Sequence, residues 1–130
     1  MNDISYLMLR LVAGISFFGH GLVRLPKLNA FSQWMTGSFS KSMLPQSLVT
    51  PFSYALPVAE FTIGILLILG IFSPKVIIAG WVVMLLLMFG TCLIENWEAL
   101  PSQMIHAIIL VALYQFIAAN SISLDQFFKK

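Results

Sequence analysis

The sequence predicts an all-α fold: an integral membrane bundle of four helices running up and down, with an interfacial amphipathic segment between the first two. Three observations predict it. Of 130 residues, 59% are hydrophobic and 9% are charged, where a soluble domain carries about 25% charge. Too few polar side chains are present to cover a globule, so the lipid bilayer is the main surrounding. Four apolar stretches then approach the ~20 residues that cross a bilayer. Turn signals separate them, and no repeat or low-complexity tract divides residues 1–130 into more than one domain.

The first span is expected over about residues 4–25. The N-terminal "MNDISYLMLRLVAGISFFGHG" has Asp3 and no early basic residue, so it reads as a retained helix rather than a cleaved leader. The segment after Pro26 places Leu28, Phe31, Trp34 and Met35 at helical spacing among polar residues. It is too short and too polar to span, and an amphipathic helix in the interface fits it. Pro51 leads into the second span, residues 52–72. Ser73-Pro74 ends it, because proline lacks the N–H a continuing helix needs. The third span is 76–94 and the fourth 104–119, opened by Pro101 and Ser102. Trp34 and Trp97 stand where an aromatic belt is expected.

Charge and cysteine content exclude several functions. The net charge of +2 is scattered over the chain, so no nucleic-acid surface is expected. Cys92 is the single cysteine; one thiol forms no internal disulfide and no Cys-x-x-Cys redox pair. No flavin, nicotinamide, iron–sulfur or c-type haem motif is present, and no metal site is expected. Lys75, Lys129 and Lys130 on one side nearly balance Arg24, Lys27 and Lys41 on the other. Arg10 tips the orientation towards cytoplasmic termini.

The candidate site comes from ionisable residues at membrane depth, which are rare and face the bundle interior. Arg10, His20 and Glu60 are read as one polar centre. With residues 4 and 72 placed level, a ruler of ~1.5 Å per residue puts Glu60 between Arg10 and His20. Arg10 is then the expected counter-charge of Glu60, whether as a structural lock or as part of a working site. His106 is read as an interfacial histidine and Gln115 as inter-helix glue. Gly14, Gly21, Gly64 and Gly70 thin their helices for close approach. Glu95 and Glu98 are read as solvated loop acids.

The first helix, "LRLVAGISFFGHGLVRLPKL", and the second, "PVAEFTIGILLILGIFSPKVIIAG", resemble the DoxX family of small bacterial membrane proteins, over roughly residues 7–90. The shared positions are Arg10, His20, Gly21, a following basic residue (Lys27 or Arg24), Glu60, Gly64 and Gly70. The resemblance implies four membrane helices in the bacterial inner membrane and a supporting role in redox chemistry at the quinone pool. Three functions compete. The chain is an accessory that binds quinone or anchors an oxidoreductase partner; or a non-enzymatic chaperone, scaffold or assembly factor; or a small-solute or proton carrier that works as a homo-oligomer. A b haem held by His20 and His106 is the other cofactor considered.

Overall fold

The computed structural model describes residues 1–129, in which every regular element is helical. Lys130, used above to judge orientation, lies outside the described residues. Helix α1 spans Asp3–Arg24, a short 3-10 turn covers Leu25–Lys27, and α2 spans Leu28–Ser38. Helices α3 (Gln46–Leu69), α4 (Ser73–Leu93) and α5 (Leu100–Gln115) follow, then a 3-10 turn and a short α6 (Leu124–Lys129).

The helix ends follow local chemistry. Asn2 caps α1, its side-chain oxygen accepting from the Ser5 N–H at 2.8 Å, while Asp3 and Arg24 sit at the ends whose partial charges they oppose. Gly70 closes α3 in the left-handed conformation at φ 73°. Its N–H and that of Ile71 both bond to the Leu66 carbonyl, a closure that only glycine adopts without steric cost. Pro74 and Pro101 stand in the first turns of α4 and α5, where a missing N–H costs nothing.

Two boundaries differ from expectation. Helix α3 begins six residues before the expected start at Phe52, so Pro51 lies inside it, as does Pro57. The fourth helix keeps its expected length of 16 residues but lies four residues earlier than 104–119, at Leu100–Gln115, and at ~24 Å it is shorter than a hydrocarbon core of ~30 Å. Among the described residues, three helical runs are long and apolar enough to cross a membrane: Asp3–Ser38, Gln46–Leu69 and Ser73–Leu93.

Helices α1 and α3 run antiparallel in a seam set by glycine. A Cβ on Gly14 would stand 2.9 Å from the Ile68 side chain. A Cβ on Gly21 would overlap the backbone of Phe61, and one on Gly64 the backbone of Phe18. Each glycine therefore receives the other helix at a phenylalanine three residues from that helix's own glycine. The two rings then stack at 5.2 Å. Helix α2 continues the same line along the first half of α3. Tyr54 donates to Asn29 at 2.8 Å, and the Ser32 and Ser53 hydroxyls lie 2.6 Å apart. The amphipathic segment is thus a helix packed on α3, with Met35 buried, Phe31 half-buried and Trp34 exposed.

A main core of Tyr6, Phe17, Ile63, Leu67, Ile77 and Leu110, among others, joins α1, α3, α4 and α5. A smaller one gathers Met35, Val49 and Leu56 beneath α2. Outward-facing Ile4, Met8, Val12, Ile15, Leu86, Phe89, Ile108 and Val111 are all largely exposed. A continuous apolar exterior of this kind suits a lipid surrounding.

Candidate functional site

Glu60 sits on the buried face of α3, with its side chain 4% exposed. Its ion-pair partner is Arg24, whose guanidinium nitrogen stands 3.5 Å from a carboxylate oxygen. Arg24 also lies over the Phe31 ring, 4.5 Å from its centre, in the cation–π range. Its position at the last turn of α1 sets one face towards Glu60 and the other towards α2. His20, one turn earlier, also acts on Glu60 electrostatically.

Arg10 does not pair with Glu60. It is 2% exposed and donates to the Leu67 carbonyl at 2.8 Å and to the Asn120 side-chain oxygen at 2.6 Å. Both Tyr6 and Asp125 act on it electrostatically. The error has a physical source. Placing residues 4 and 72 level assumed that α1 and α3 end together. The glycine seam sets Gly14 at Ile68 and Gly21 at Phe61, sliding α1 by about six residues, or ~9 Å. Arg10 is thereby carried to the Gly70 turn, and Arg24 is brought level with Glu60.

The C-terminal segment completes the Arg10 end. The Phe72 and Ser73 N–H groups donate to the two carboxylate oxygens of Asp125 at 2.7 and 2.8 Å. The Asp125 N–H donates to the Gly70 carbonyl at 2.9 Å. Phe72 has a positive φ of 52°, unfavourable for a bulky residue, and the Asp125 bonds hold it there. A Cβ on Gly70 would meet both Ser123 and the Arg10 guanidinium.

The two histidines meet through Ser16. The ring centres of His20 and His106 are 6.3 Å apart and nearly perpendicular. In each, Nδ1 lies 2.7 Å from the carbonyl of the serine four residues earlier, Ser16 for His20 and Ser102 for His106. A carbonyl only accepts, so Nδ1 carries the proton in both rings. The Nε2 of His106 shares a hydrogen bond with the Ser16 hydroxyl. His106 is therefore half-buried and tied to α1, not an interfacial histidine facing water. The sequence held a signal for this: Ser-x-x-x-His occurs at 16–20 and again at 102–106.

These groups line one cavity of about 620 Å³. Its walls are mainly aromatic and aliphatic, including Phe17, Phe39, Phe52, Leu56, Met84 and Leu87. Its polar lining includes Glu60, Arg24, His20, His106, Ser16 and Gln103. Gln103 donates to Thr91 at 2.9 Å, and its carbonyl oxygen is buried with no partner. Apolar walls with a few convergent polar groups are the usual form of a small-molecule site.

The remaining expected residues fall elsewhere. Lys27 is exposed in the 3-10 turn, and Gln115 is exposed at the end of α5. Glu95 and Glu98 are exposed between α4 and α5. Arg24 appeared in the sequence reading only as an alternative basic position; Ser16, Asn120 and Asp125 were missed. Among the described residues, no group of three or more histidine, cysteine or acidic side chains is placed to hold a metal ion.

Residues 5–93 match the DoxX family. The chain belongs to the DoxX family. That match takes in α1 to α4 and stops before the segment carrying His106, Asn120 and Asp125. No curated protein and no solved structure matches the chain. Family membership and the apolar helices together make this DoxX protein an integral membrane protein.

Proposed function

We propose that this DoxX protein binds a lipid-soluble quinone in the cavity beside Glu60 and serves as an accessory to quinone-linked redox metabolism. It would act in a bacterial cytoplasmic membrane, crossing it with four helices up and down and holding both termini on the cytoplasmic side. The observation that carries the reading is the joining of a buried Glu60, paired with a half-buried Arg24, and a large apolar wall in one cavity of about 620 Å³. A quinone has the matching shape, a small polar ring on an apolar chain.

A quinone supplies two-electron chemistry that takes up and releases protons. The residues present suit the proton part. Glu60 can hold a proton close to the ring, and Arg24 offers a donor to a carbonyl or a phenolate. His20 has Nδ1 bonded to the Ser16 carbonyl, which leaves its Nε2 free to meet the ligand. The Ser16–His106 contact extends this polar set onto α5.

The test is an absorption spectrum and mass spectrometry of the organic extract from gently purified protein, followed by titration with a short-chain quinone. Stoichiometric quinone that is lost in Glu60→Gln is the expected result. A protein that carries none and binds none overturns the reading and returns the weight to a scaffold or assembly role.

A further inference from the structure

The cavity has two kinds of rim. Four of its lining residues are largely exposed on the outer surface and wholly apolar: Trp34 at 58%, Leu48 at 61%, Leu86 at 51% and Phe89 at 58%. They come from α2, the first turn of α3 and the second half of α4. The other exposed lining residues, His20, Asn96 and Ser102, are polar and lie at the ends of α1, α4 and α5. A ligand entering from water has no use for an apolar rim. Such a rim in a membrane protein meets acyl chains.

The same cavity wall holds one tight contact. Gly90 is buried on α4, and a Cβ built on it would be 3.0 Å from the tip of the Phe39 ring. Phe39 follows α2 directly and also lines the cavity. Its ring therefore reaches α4 only because residue 90 has no side chain.

We infer that the apolar rim is a lateral portal through which the ligand enters from the bilayer. The bound ligand keeps its chain in that portal and its polar ring against Glu60, Arg24 and His20. Phe39 packed on Gly90 is the gate. This rests on the quinone reading above, and it adds the route and the requirement for a long single chain. The ring packs on the Met35, Val49 and Leu56 cluster on one side and on Gly90 on the other, so a rotation away from Gly90 opens the passage without moving a helix.

The experiment uses the protein in lipid nanodiscs and a decyl-benzoquinone carrying a diazirine at the far end of its chain. Photolabel on the peptides containing Leu48 and Leu86–Phe89, abolished by excess unlabelled decyl-benzoquinone, is the expected result. Competable label elsewhere on the protein overturns the portal and leaves quinone binding standing. No competable label at all overturns both. A second measurement concerns Gly90→Leu, which overfills the Phe39 contact. It should weaken binding of the decyl compound about tenfold, while the tail-less benzoquinone is held as before. Equal loss for both compounds, or no loss for either, overturns the gate.

Discussion

One buried charge stands towards each end of the α1–α3 seam, Arg10 at one and Glu60 at the other, and the two are held differently. At the Gly70 end, Arg10 donates to a backbone carbonyl and to Asn120 at 2.8 and 2.6 Å, under a C-terminal segment pinned by Asp125. At the Arg24 end, Glu60 has an ion pair of 3.5 Å and opens on a cavity. Charge-assisted hydrogen bonds are normally shorter than 3 Å. The first charge is therefore held by two short bonds, while the second is held by one long contact that leaves interaction capacity for something else. Burial alone did not separate them, since Arg10 and Glu60 are 2% and 3% exposed. What separates a structural charge from a candidate working charge here is how short its bonds are and whether it faces a cavity.

This comparison can be broken most directly at Arg10. Arg10→Ala should cost about 3–5 kcal/mol, because it leaves Asn120 and the Leu67 carbonyl facing a void. Reversible unfolding in mixed micelles measures it; a loss near zero would show that the clasp contributes nothing. Next comes the seam. Gly64→Ala should cost about 1–3 kcal/mol by forcing α3 off the Phe18 backbone. Gly19→Ala, where an added Cβ meets nothing within 4 Å, should be neutral or slightly stabilising in a helix.

Asp125→Ala should follow at about 1–2 kcal/mol, the usual scale for losing a helix cap. A smaller but sharper effect is the coupling of charges. In double-mutant cycles Arg10 and Glu60 should be additive within ~0.5 kcal/mol, while Arg24 and Glu60 should couple by more than that. Coupling between Arg10 and Glu60 instead would mean that the two ends are one polar centre. The smallest contrast lies between the histidines. His106→Ala should lower stability more than His20→Ala, because His106 bonds through both ring nitrogens and His20 through one.

Much of the fold was legible because it depends on local terms. Apolar run length gave the helices of α1, α3 and α4, and Ser73-Pro74 gave the break between α3 and α4. The site was legible in its parts. Glu60 and His20 stood out as ionisable residues in apolar runs, and both line the cavity. Arg10 stood out for the same reason and lies elsewhere. His106 reads from the sequence as an interfacial histidine, and the Ser16 hydroxyl that ties it to α1 carries no signal of its own beyond the Ser-x-x-x-His spacing. Pro51 misled the start of α3, since a proline near a helix start is accommodated within the first turns.

By itself the sequence determined that the chain is helical, that its outer surface is apolar, and which residues carry charge into that apolar setting. These follow from composition and from periodicities that act over a few residues. Only the tertiary structure decided which charge meets which. That choice rests on the register of α1 against α3, fixed where Gly14, Gly21 and Gly64 let two backbones touch. A slide of about six residues moves a side chain by ~9 Å, more than an ion pair can span. The same helices in another register would have given Glu60 a different partner and the cavity a different lining.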